Sequence, residues 1–172
     1  PAQVSAAAFR LVDVRPGGIE HRAVIRYTVR YAPVDTFYLK LPAPAGAGEI
    51  SLSGANLRES PRIDRLPDDQ RGDANAPADG NWAYYKAVLR TPVLGDVDLS
   101  VRWRERLAPQ PGRVRTVEVH PVLAAGRLSD QIAYVAVRKA PSLAIGTPDA
   151  RGLQPADPAS KQDLPYAPLR RE

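Results

Sequence analysis

The sequence predicts an all-β fold: an antiparallel β-sandwich of about eight strands, followed by an extended proline-rich tail. Three observations carry this. The dominant hydrophobic period is two, most clearly in HRAVIRYTVRY (21–31), where Ala23, Ile25, Tyr27, Val29 and Tyr31 alternate with Arg22, Val24, Arg26, Thr28 and Arg30. DVDLSVRWRERL (96–107) repeats it, with Val97, Leu99, Val101 and Trp103 on one side and Asp98, Ser100, Arg102, Arg104 and Arg106 on the other. No amphipathic helix of about ten residues or more appears; the best short stretches, near 5–9 and 64–71, are weak. Gly and Pro punctuate the chain at short intervals, which favours antiparallel neighbours.

The elements follow in order. A strand over 4–14 stops at Pro16-Gly17-Gly18, and the strand over 21–31 stops at Ala32-Pro33. Strands over 35–41 and 48–53 flank Gly46-Ala47-Gly48. The strand over 82–90 is separated from 96–107 by Gly95-Asp96, and Pro109-Gln110-Pro111-Gly112 precedes one over 114–123. Gly126 introduces the last, over 130–138. Val, Ile and Tyr recur in them because branched and aromatic side chains pack well on a pleated surface. Each strand has one apolar face to bury, so two packed sheets are expected, with Trp82, Tyr85, Leu89, Leu99, Val101 and Trp103 in the core.

Two segments break the pattern. Residues 58–80 are polar and turn-rich, a long loop suited to mobility or binding. Residues 140–172 hold Pro141, Pro148, Pro155, Pro158, Pro165 and Pro168, which cannot donate to a ladder. The expected organisation is therefore one sandwich domain over 1–139 and an extended tail or linker over 140–172, docked on its own sheet or on a neighbouring subunit.

Composition narrows the chemistry. The 172 residues include no Cys, which excludes a disulfide framework, a Cys-ligated metal and a thiol nucleophile. There is no Met, and the chain opens Pro1-Ala2-Gln3, so a signal peptide, a tag or more of a longer polypeptide is expected before it. No apolar run approaches the ~20 residues that span a bilayer, which puts any membrane anchor outside this chain. The net charge is +5, and 20 of the 24 basic residues are Arg. Arg, Ala, Pro and Gly share GC-rich codons, so this balance fits a GC-rich bacterial genome better than selection for a polyanion. The excess lies on strand segments among acids, not in a basic arm.

Candidate sites are few. Nucleophilic catalysis needs a nucleophile, a base and an orienting group. The chain has two histidines, His21 and His120, each at a strand end, and no G-x-S-x-G elbow. Asp73, Asn75 and Asp79-Gly80 alternate as oxygen-ligand loops do, but Pro77, Ala78 and Tyr84 break the EF-hand pattern. Trp82 and Tyr84 share a face and could form an aromatic platform for a glycan, although strand geometry sends Tyr85 inward and core use competes. Arg22, Arg26 and Arg30 with Arg102, Arg104 and Arg106 form two stripes. If their strands are neighbours, the six make a basic patch for an acidic partner; otherwise they are the wet side of a sheet. No nucleic-acid reading motif accompanies them. No cofactor is expected.

FYLKLPAPAG and EISLSG (37–54), NWAYYKAVLRTPVLGDVDLSVRW (81–103), and VEVHPVLAAG with IAYVAV (117–137) share an order of strand patterns. This order resembles that of extracytoplasmic β-sandwich modules in large membrane-anchored bacterial proteins of unknown function. The resemblance implies a periplasmic or extracellular, non-enzymatic structural or protein-interaction module. Its partners would be other parts of the parent polypeptide or neighbouring subunits. Pro92 and Gly95 match its turn, and no catalytic residues carry over. A carbohydrate-binding module using Trp82 and Tyr84 is the second expectation.

Overall fold

The computed structural model describes residues 1–42, 49–70, 82–107, 119–146 and 152–155. Their regular structure is almost entirely strand. β1 (Gln3–Arg15) and β2 (Gly18–Pro42) form a hairpin closed by Pro16 and Gly17, where Gly17 takes φ +87°. Any L side chain at that φ would be strained, which is why the turn uses glycine. β3 (Ser51–Gly54), β4 (Leu57–Glu59) and β5 (Arg62–Ile63) are short. β6 (Trp82–Arg106) is as long as β2, and β7 (Leu123–Ala125) and β8 (Asp130–Lys139) complete the set. One short 3-10 turn covers Asp68–Gln70.

All eight strands join a single hydrogen-bonded sheet in the order β3-β6-β2-β1-β8, with β4 and β5 also on β6 and β7 on β2. Two expectations are corrected. The strands do not divide into two separately bonded sheets, and they are not wholly antiparallel, because β8 runs parallel to β1. A parallel neighbour requires a long crossover, and the chain between β1 and β8 supplies one.

The count of eight survives although its members change. The segments 21–31 and 35–41 are one strand, β2, and 82–90 and 96–107 are one strand, β6. The polar stretch that begins at 58 contributes β4 and β5, and 114–123 leaves only β7 at its end among the described residues. The stretch 5–9 lies within β1, not in a helix.

The merged strands turn a corner instead of ending. Residues 30–33 of β2 stand against Leu94 alone, because Val29 pairs with Gly95 and Val34 with Val93. Then residues 89–92 of β6 stand against Asp35 alone, because Thr36 pairs with Val88. These reciprocal bulges add twist and bend to both strands at once. Tyr31 takes φ +71° and Gly95 φ +99° at the same corner. Pro33 fits there because a bulge needs no ladder donor.

Beyond the corner β2 folds back on itself. The Tyr27 and Phe37 rings lie 4.7 Å apart, and the Tyr27 hydroxyl donates to the Tyr38 carbonyl at 2.7 Å. The inner faces of the two limbs form one core. Ala23, Ile25, Tyr27, Leu99, Val101 and Trp103 come from one limb, and Phe37, Leu39, Leu41, Ala83, Tyr85 and Leu89 from the other. Tyr85, Leu89, Leu99, Val101 and Trp103 are buried as expected, whereas Trp82 is only half-buried.

Candidate functional site

β2 and β6 are direct neighbours, which decides how the arginine stripes meet. Facing residues of paired strands project to the same side of the sheet. Arg22 stands opposite Arg102, Glu20 opposite Arg104, Gly18 opposite Arg106, and Arg26 opposite Asp98. Arg22, Arg102, Arg104 and Arg106 therefore lie together at one end of the outer face. The other two stripe residues do not join them. Arg26 is clamped by Asp98 through two hydrogen bonds of 2.6 Å, and exposed Arg30 lies at the corner itself, opposite Gln3 on β1.

Arg22 also reaches Glu20 at 3.2 Å, and Arg15 bonds Asp13 at 2.7 Å. Asp13 is buried, and its bonds from Arg138 and then Arg15 hold its carboxyl down at about 2. Arg22 thus faces Arg102 across the ladder while it holds Glu20. Like charges directly opposite each other on a sheet destabilise it, by roughly 0.2–1 kcal/mol.

The same outer face changes character across β1 and β8. Register places Val24 beside Phe9, and Phe9 beside Tyr134. Leu11 pairs with Ala136 and Ala7 with Ile132. Phe9, Leu11, Val24 and Tyr134 are half-buried and Ile132 is 48% exposed. An apolar strip thus adjoins the four arginines on a surface that no described segment covers as a second layer.

The inner face of the same strands holds a buried polar cluster that sequence reasoning missed. Arg10 and His21 are 3% and 1% exposed, and an Arg10 guanidinium nitrogen donates to His21 Nδ1 at 3.0 Å. That bond requires Nδ1 to be unprotonated, which leaves the hydrogen of the neutral ring on Nε2. Arg10 also donates to the His120 carbonyl. The His21 ring stacks on Trp103 at 4.6 Å, and the guanidinium lies 4.8 Å from the same indole. Burial, then the Arg10 charge, lowers His21 to about 3, and burial lowers Arg10 to about 10 although Glu105 pulls the other way. Arg10 is cationic and His21 neutral at pH 7. The signal was present: Arg10 interrupts Val4, Ala6, Ala8 and Val12 on the apolar face of β1.

This cluster has the wrong chemistry for a base. His21 Nε2 is 3.8 Å from the Glu105 carboxylate, beyond hydrogen-bond distance, and a group near 3 is a weak proton acceptor at neutral pH. His120 is exposed, with its ring 6.0 Å from that of Trp82. Trp82 and Tyr84 are both half-buried on the face they share, and the Lys40 ammonium lies 5.1 Å from the Trp82 ring centre. One face of the indole is thereby occupied.

Among the described residues, no group of three or more His, Asp or Glu could hold a metal ion. The alternating oxygen-bearing residues Asp73, Asn75 and Asp79 lie outside the described residues, as does most of the proline-rich tail. A cleft of about 220 Å³ opens at the corner between Val4, Tyr27, Phe37, Tyr38 and Gln70, with no carboxylate or histidine in its lining.

No protein-family model matches the chain, and no curated protein matches it. Among solved structures it is similar to a mutant M1 zinc metallopeptidase from Deinococcus radiodurans bound to a Tyr-Ser-Ala substrate. The TM-score is 0.33 and the identity 13%, over 72% of this chain and 26% of that one, so the chain spans about a quarter of the peptidase's length.

Proposed function

We propose that this chain is a non-enzymatic protein-interaction module, a β-sandwich built from one folded-over sheet, that docks a partner on the outer face of β6, β2, β1 and β8. The partner surface is apolar at its centre and acidic at one side. The observation that carries the reading is the facing pair Arg22–Arg102 beside the strip of Phe9, Leu11, Val24 and Tyr134. An apolar patch with a charged rim is the usual anatomy of a protein interface. An acidic partner would bring carboxylates to the exposed Arg102, Arg104 and Arg106. The neutral, buried His21 and its separation from Glu105 support a role without catalysis. The resemblance of its strand order to extracytoplasmic modules supports an exported bacterial protein, with the module docking onto its own parent polypeptide or a neighbouring subunit.

The test is peptide display on the purified chain, counter-selected on the variant Arg22→Glu, Arg102→Glu, Arg104→Glu. Selected sequences are expected to combine Asp or Glu with large apolar residues. They should lose at least tenfold in affinity for the variant and weaken as salt rises. Recovery of the same peptides by both proteins would overturn the reading.

A further inference from the structure

The sheet has two ends, and they are built differently. At one end β3 is four residues long, a length that offers little to a stray strand. At the other end β8 runs for ten residues, Asp130–Lys139, with no Gly, Pro or bulge. Among the described residues it pairs with β1 alone. Its middle, Ile132–Val137, carries no charge, and Ile132 and Val137 are each 48% exposed on opposite faces. A long apolar edge with an open row of backbone donors and acceptors is what proteins avoid leaving bare.

We infer that β8 is a homodimer seam, at which β8 of a second copy pairs antiparallel across a twofold axis and continues the sheet. The charge order of the strand selects this occupant. β8 begins with Asp130 and ends with Arg138 and Lys139, so it complements its own reverse. A twofold axis normal to the sheet keeps each face on its own side, so paired residue numbers must sum to an even value. Centring the pair on Tyr134 puts Asp130 opposite Arg138 of the second copy. The same register puts Ile132 opposite Ala136 and Ala133 opposite Val135. Moving the centre to Val135 would set Ile132 against Arg138 and lose both matches. Arg138 bonds Asp13 at 2.9 Å, and a guanidinium, with five N–H donors, can serve more than one carboxylate. The seam also extends the apolar strip of Phe9 and Tyr134 across the axis, joining two copies of the outer face.

Light scattering after size exclusion tests the seam on the full chain over a hundredfold range of concentration. The wild type should move from monomer to dimer. The double variant Ile132→Lys, Val137→Lys should stay monomeric with an unchanged far-UV spectrum, while Arg102→Glu, Arg104→Glu should dimerise like wild type. The register has its own probe, because the chain contains no native Cys. Tyr134→Cys should cross-link to itself under mild oxidation, and Ser53→Cys should not. A wild type that is monomeric throughout, or a Tyr134→Cys that does not cross-link preferentially, overturns the inference. Loss of peptide binding by the arginine variants leaves it standing, so the two readings fail separately.

Discussion

The inner and outer faces of β1, β2 and β6 are made from the same strands and the same alternation, yet they treat charge in opposite ways. Inside, the one guanidinium of the polar cluster, Arg10, is held by His21, the His120 carbonyl and the Trp103 ring. Outside, Arg26 takes a clamp from Asp98, while Arg22 and Arg102 face each other across the ladder. A buried charge must be satisfied because its desolvation is expensive, whereas water screens a surface charge. The inner face is therefore fixed by folding, and the outer face is left open to other requirements.

The largest way to break this contrast is to remove an inner side chain. Leu99 is fully buried between the limbs, and Leu99→Ala should cost about 2–5 kcal/mol, read as a lower denaturation midpoint at unchanged slope. Ser100 is the next residue on the same strand and lies on the other face, so Ser100→Ala should change stability by no more than about 0.5 kcal/mol. Equal losses at the two sites would mean that the outer face is also packed.

Acid sharpens the contrast through His21. Its folded value is near 3, whereas the unfolded chain takes up the proton near the ordinary value of about 6.5. Between those limits the unfolded state binds more protons, so stability falls as pH falls from about 6.5 toward 3. His21→Phe keeps a ring against Trp103 and should flatten that slope while lowering stability at neutral pH, because the Arg10 donor loses its acceptor. Asp13 acts lower down: its contribution is complete above about 3.9 and disappears as pH falls toward 2. Urea midpoints of wild type and His21→Phe at intervals from pH 7 to 3 distinguish the two groups.

The same contrast explains how much was legible in the sequence. Period two assigned Leu99, Val101 and Trp103 to the core and Arg102, Arg104 and Arg106 to the outside, because side-chain direction in a strand is a local property. It could not show that Ala32-Pro33 and Gly95 bend their strands instead of ending them. A bulge and a turn use the same residues, and only the partner strand distinguishes them. The parallel pairing of β8 with β1 was hidden for a related reason: it joins residues about 125 positions apart, where no short-range signal operates. Of the candidate site, the stripes were visible but their register was not, so the meeting of Arg22 with Arg102 and the separation of Arg30 both required the fold.

The smallest effect gives the most specific test, because it predicts opposite signs at adjacent positions on one face. Arg102 stands opposite Arg22, whereas Arg104 stands opposite Glu20. Arg102→Glu converts a like-charge pair into an attractive one, and should stabilise the chain by a few tenths of a kcal/mol, up to about 1. Arg104→Glu places two carboxylates face to face and should destabilise it by a similar amount. Both shifts should shrink in high salt, since these groups are exposed or half-exposed. A partner acidic at this end of the face should nevertheless bind both variants less well. Arg102→Glu would then be more stable than wild type and weaker in docking, the signature of a residue kept for binding at the expense of the fold. If Arg102→Glu is destabilising, the facing arginines are already balanced by their surroundings, and the charge argument for a docking face no longer holds.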